Sequence, residues 1–308
     1  MASLYRRSLL VAGSIGIGAA VAWQVAAARS RRRQIVQGKI RPTQSVWNHV
    51  GNWVIHARVA LPPQPSYAPP VVLVHGFGMS STYFMPTAER LARRFIVYAP
   101  DLPGHGKSRT PRRALDIPQL ADALIAWMEA KRIDLASLVG NSMGCQIAVD
   151  AAMRYPHRVD RLVLIGPTMD PPARRAAEMF WRFLRGGAHE RISLNLTLAR
   201  DYARMGKRLF TEFRFMRHDY IEDKLPDVRA PVMLVRGEKD TIVTQDWLME
   251  LARLARTDRI ATIPDWGHAV NYSAPEELVA TITPFLLESR QPESAAATSR
   301  PMAQRSPR

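Results

Sequence analysis

The 308-residue chain is 47% hydrophobic and 23% charged, which suits one large folded domain with an insertion and excludes wholesale disorder. Its formal charge of +16 gathers at the ends: residues 1–41 carry eight Lys/Arg and no acid, and residues 290–308 carry four Arg against Glu293, so a nucleic-acid-binding face on the folded body is not expected. Cys145 is the only cysteine, which excludes an intrachain disulfide and a thiolate metal site.

From the N-terminus, residues 9–28 (LLVAGSIGIGAAVAWQVAAA) run without a charge, between Arg6-Arg7 and the cluster Arg29, Arg31, Arg32 and Arg33. Twenty such residues match a bilayer-spanning helix. Three readings fit: an uncleaved membrane anchor, a secretory signal cut after Ala26-x-Ala28, or a twin-arginine signal opened by Arg6-Arg7. The arginines that follow oppose export, so the expectation is an anchor with the folded domain on the cytoplasmic side; export to the periplasm or secretion is the alternative. Residues 53–60 read as a strand, and the five prolines within 61–70 as a loop. Short apolar runs at 71–74, 95–99, 135–139, 161–165, 231–235 and 259–263 read as buried strands. They alternate with helical patterns near 81–93, 118–131 and 143–155, which implies an α/β, mostly parallel, doubly wound sheet. Between 169 and 226 the alternation stops and the pattern is that of amphipathic helices at 174–184, 194–205 and 210–220. The expected division is an anchor or signal segment at 1–41, a core of 42–169 and 227–289, a helical cap at 170–226, and a disordered tail at 290–308.

The segment Gly140-Asn141-Ser142-Met143-Gly144 is a G-x-S-x-G placed after an apolar strand and before a helix. That context makes the serine a candidate nucleophile on a sharp strand-to-helix turn, where small flanking residues are required. With this motif, residues 45–288 resemble the α/β-hydrolase superfamily. The resemblance implies a Ser–acid–His order, matched by Ser142, by Asp240 in Val235-Arg-Gly-Glu-Lys-Asp240, and by His268 in Ile263-Pro-Asp-Trp-Gly-His268. Glu238 and Asp265 are rival carboxylates by position; the resemblance selects Asp240. It also implies an oxyanion hole from the backbone N–H groups of Met143 and Phe77, the latter in His75-Gly-Phe77-Gly. His75 reads as a loop brace, Cys145 as a packing residue, and His49, His56, His157, His189 and His218 as surface or packing residues.

Two glycine-rich segments imitate nucleotide motifs and fail: Gly104-His-Gly-Lys-Ser108 has Asp101 where a phosphate loop needs glycine, and Gly76-Phe-Gly-Met-Ser-Ser81 ends in serine. No metal-ligand spacing occurs, and no cofactor is expected. The expectation is a serine hydrolase, carboxylesterase-like, acting on an ester or related acyl bond of a small hydrophobic molecule through an acyl-enzyme. Phe180, Trp181, Phe183, Phe213 and Phe215 in the cap suit such a group. The elbow is also similar to that of meta-cleavage product hydrolases, although Cys145 and Ala269 depart from their pattern. Carbon–carbon bond hydrolysis, acyl transfer, cofactor-free haloperoxidase chemistry and a ligand-binding role without catalysis are the alternatives.

Overall fold

The computed structural model of the protein describes residues 26, 29–38 and 40–288. Eight strands form one sheet in the order β1-β2-β4-β3-β5-β6-β7-β8. β1 (Gln44–Val50) and β2 (Trp53–Ala60) pair antiparallel through the two-residue turn Gly51-Asn52, and β2 pairs antiparallel with β4 (Val97–Pro100). The others, β3 (Val71–Val74), β5 (Ala136–Asn141), β6 (Val159–Ile165), β7 (Val232–Gly237) and β8 (Ile260–Ile263), join β4 in parallel.

The apolar runs form strands because both faces of the sheet are covered. Val72, Val74, Leu138, Leu162, Leu164 and Leu234 point into one core. Their neighbours Val71, Leu73, Val139, Val163, Ile165 and Val235 point into the other, as period-two alternation demands. Helices α1 (Met85–Leu91), α2 (Ile117–Ala130), α3 (Met143–Arg154), α8 (Gln245–Leu254) and α10 (Pro275–Leu287) supply the covering layers, and α9 (Val270–Ser273) leads into the last of them. Asp116 caps α2 reciprocally with Gln119, satisfying two backbone donors at its start. α3 is the central helix, with every residue from Met143 to Ala152 buried. Between β6 and β7 the chain makes a helical excursion of α4 (Ala176–Gly186), α5 (Ile192–Met205), α6 (Arg208–Arg217) and α7 (Ile221–Lys224).

The expectation of a transmembrane anchor, and with it a membrane-associated enzyme facing the cytoplasm, is corrected. Crossing a bilayer takes about 20 mostly apolar residues in one helix, and among the described residues no helix is long and apolar enough to do so. The run at 9–28 lies outside the described residues apart from Ala26, as does the tail at 290–308. The helical stretch at 29–36 rests on the folded body, where the Arg31 guanidinium pairs with Glu89. Arg41 N–H also donates to the Glu89 carbonyl at 2.8 Å.

Candidate active site

β5 and α3 meet at a turn with almost no free space. A Cβ at residue 140 would lie 2.5 Å from Gly144 O, and one at residue 144 would lie 2.1 Å from Val74 O. Both obstacles are backbone atoms, so neither can swing aside. Gly144→Ala should therefore destabilise the fold by at least the upper end of the about 1–3 kcal/mol typical of overpacking; urea unfolding monitored by circular dichroism checks this. The turn forces Ser142 to φ 56°, ψ −124°. Such a conformation stores about 1–3 kcal/mol in a non-glycine residue. It is held by Ser142 N–H donating to Ile165 O and Cys145 N–H donating to Ser142 O, each at 2.9 Å.

Asp240 and His268 follow the ends of β7 and β8, which lie two and three strands along the sheet from β5. The Asp240 side chain is fully shielded from solvent. Its Oδ1 accepts Ile242 N–H at 2.8 Å and Val243 N–H at 3.0 Å, and its Oδ2 lies 2.9 Å from His268 Nδ1. These two backbone donors favour an ionised carboxylate, so His268 Nδ1 carries the proton and Nε2 is the basic nitrogen. Nε2 is buried and has no hydrogen-bond partner among the described residues. Burial opposes the imidazolium form, but the Asp240 and Glu190 carboxylates outweigh it, and the His268 pKa is raised above its ordinary value. Gly166, at φ +52°, closes against this pair: a Cβ there would lie 2.8 Å from the His268 ring and 3.2 Å from Asp240 Oδ2.

The rival carboxylates point elsewhere. Asp265 is exposed and paired with Lys239 at 2.9 Å, and Glu238 Oε2 accepts Asp265 N–H at 3.0 Å. His75 is buried and neutral: its Nε2 accepts Leu102 N–H at 3.1 Å and its Nδ1 lies 3.1 Å from Gly76 O. Burial, with His105 beside it, lowers its pKa to about 4. Burial pushes the Cys145 thiol far up, and its Sγ donates to Gly140 O at 3.3 Å. Among the described residues no group of three His, Cys, Asp or Glu side chains could hold a metal ion.

Among the described residues a serine, a histidine and an aspartate also meet away from this site. His56 Nδ1 lies 2.7 Å from Asp101 Oδ2 and His56 Nε2 lies 3.0 Å from Ser45 Oγ. Burial would raise the Asp101 pKa, but His56 and the N–H groups of Lys107 and Ser81 bring it down to about 2. Ser45 sits within the regular edge strand β1, without a sharp turn or a helix N-terminus behind it. This constellation ties the first hairpin to the loop after β4.

A cavity of about 550 Å³ opens over Ser142 and His268, bounded also by Gly76 and Phe77. This volume falls within the range of small-molecule sites. The excursion supplies Met179, Phe180, Phe183, Leu198, Tyr202 and Phe213 to its wall. Trp181 and Phe215 do not line it. The rings of Phe77 and Tyr202 meet edge-on, with centroids 5.8 Å apart. Sequence reasoning missed Glu190, in the cavity wall, and Tyr83, whose hydroxyl donates to Asn141 Oδ1 at 2.9 Å; neither belongs to a recognisable motif.

Residues 71–281 match the sequence profile of a family described as the alpha/beta hydrolase family. A pimeloyl-[acyl-carrier protein] methyl ester esterase of Aromatoleum aromaticum is 30% identical over 253 residues, spanning 70% of this chain and 96% of the relative. An esterase of the same name from Nitrosomonas europaea is 29% identical over 250 residues, spanning 69% and 93%. Among solved structures, one described as a membrane phospholipase A, a bacterial virulence factor, aligns over 91% of this chain and 97% of its own. That alignment has a TM-score of 0.68 and 25% identity.

Proposed function

Since the chain belongs to the alpha/beta hydrolase family, we propose that it hydrolyses an ester of a small hydrophobic acyl group through a covalent intermediate on Ser142. The observation that carries this is the state of His268. One ring nitrogen is bonded to Asp240 and the other has no partner among the described residues, in the wall of a cavity that Ser142 shares. Relatives that act as esterases support ester hydrolysis in general.

In this reading His268 Nε2 takes the Ser142 proton as Oγ attacks the ester carbonyl, and Asp240 holds the imidazolium in orientation. Charge then grows on the carbonyl oxygen. Met143 begins α3, so its N–H has no carbonyl four residues back in the helix; with Phe77 N–H from the loop after β3 it is the proposed oxyanion donor. The intermediate collapses as His268 returns the proton to the departing alkoxide. A water, deprotonated by the same nitrogen, then releases the acid and frees Ser142.

The apolar wall sets the expected substrate class: an acyl carboxylate buried against Phe183 and Leu198 would lose hydration without a cationic partner. Phe183→Ala should shift the ratio of kcat/KM between octanoyl and acetyl p-nitrophenyl esters by about ten-fold. Trp181→Ala should leave that ratio unchanged, because Trp181 is 57% exposed and outside the cavity wall. A panel of p-nitrophenyl esters of increasing chain length checks both. Equal loss on every ester in the Phe183 variant would reduce that residue to a support for the excursion.

A further inference from the structure

Glu190 lies between α4 and α5, yet its carboxylate ends among the residues around His268, nearly eighty positions along the chain. Its Oε1 accepts Ala269 N–H at 2.7 Å and its Oε2 accepts the Ser273 hydroxyl at 2.5 Å. On the other side of His268, a Cβ at residue 267 would lie 2.6 Å from Glu190 Oε1, so the absence of a side chain at Gly267 admits the carboxylate. Glu190 thus bonds to the chain immediately after the imidazole and occupies the space that a side chain immediately before it would take. Among the described residues it is the only carboxylate in the cavity wall, and no Lys or Arg lines that wall.

A tie between excursion and loop does not require a charge. An amide of the same length could accept from Ala269 and donate to Ser273, without the cost of burying a carboxylate. We propose that Glu190 is a positioning residue for His268: it anchors the backbone immediately after the imidazole and sets a second negative charge beside it for the moment the Ser142 proton is taken. This rests on the reading of Ser142, His268 and Asp240 as the catalytic groups. It makes the site complete only when the excursion is docked, because the excursion supplies the charge.

The groups facing His268 are few. Asp240 is its direct partner, and Arg236 Nη2 donates to the Asp240 carbonyl at 3.0 Å. Tyr83 and Glu190 flank the cavity side. Outside it, His189 packs near Gly267 and the Arg191 guanidinium lies over the Trp266 ring at 5.3 Å. Glu190 raises the His268 pKa alongside Asp240; burial raises its own.

The test is the pH profile of full-length protein on p-nitrophenyl butyrate, for wild type, Glu190→Gln and Glu190→Asp. His268 must be neutral to act as base, so activity is lost as pH falls through its pKa. Removing a negative charge lowers that pKa, and the acid limb of kcat/KM should move to lower pH by up to about one unit in Glu190→Gln. Plateau kcat should fall about ten-fold with KM little changed. Glu190→Asp keeps the charge, so its acid limb should stay near that of wild type even if kcat drops. An unmoved limb in Glu190→Gln, or equal limbs in the two variants, overturns the proposal. So does failure of both Glu190→Gln and Glu190→Ser to fold, which would make the residue a structural tie. An active Ser142→Ala protein would instead sink the underlying assignment, whatever the substitutions at 190 do.

Discussion

Ser142→Ala is expected to lower kcat for ester hydrolysis by about 10⁶-fold, the scale of loss when the nucleophile of a concerted triad is removed. The effect is large because the other parts act only through Oγ. His268 Nε2 has no hydrogen-bond partner among the described residues, and the oxyanion donors are useful only once a tetrahedral centre forms. Thermal unfolding should remain cooperative and little changed, since alanine needs the same backbone and the elbow is held by the main-chain bonds to Ile165 and Cys145. Residual turnover should come from oxyanion binding and substrate capture alone. Steady-state kinetics with p-nitrophenyl butyrate, beside a melting curve, separates lost chemistry from lost folding.

Asp240→Asn should lower kcat by about 10⁴-fold, with the fold intact. The carboxylate does two things that an amide does not. It accepts three hydrogen bonds at once, from Ile242, Val243 and His268. It also compensates the positive charge that develops on the imidazole. Asparagine can turn its NH₂ toward His268 Nδ1, which reverses the tautomer and puts a proton on the nitrogen that must accept one. Glu238→Gln and Asp265→Asn should each change kcat less than about three-fold, because both carboxylates bond to partners other than His268. A large loss from either would reassign the acid. In the wild type, activity should fall on the acid side through the His268 pKa, which is raised above the ordinary imidazole value.

Much of this was legible in the chain because the sheet is buried on both faces. Residues 71–74, 162–165 and 232–235 are uninterrupted apolar runs with no solvent face to dilute them. The elbow was legible for a related reason: close backbone approach admits only glycine at 140 and 144, so the turn writes itself into the sequence. β1 escaped notice because Gln44–Val50 is an edge strand of half-exposed polar and apolar residues, a pattern close to that of a loop. Ser45, His56 and Asp101 showed no relation in the sequence, because strand register and a loop 45 residues from His56 bring them together. Glu190 was invisible for the same reason in stronger form. Its contact with Ala269 spans 79 positions and depends on how an excursion without motifs folds back over the sheet. The aromatic residues of that excursion were visible, but not their directions. Helical spacing placed Trp181 and Phe183 two residues apart, and only packing shows that Phe183 faces the cavity while Trp181 does not.

The central claim is that Ser142 is the nucleophile, and covalent mapping tests it most directly. Full-length protein would be treated with a fluorophosphonate until esterase activity is gone, then digested and read by peptide mass spectrometry. The account predicts one adduct per chain, on the peptide carrying Ser142, formed in proportion to the activity lost. An adduct on Ser45 or any other residue, or ester turnover that persists with Ser142 fully modified, would contradict it.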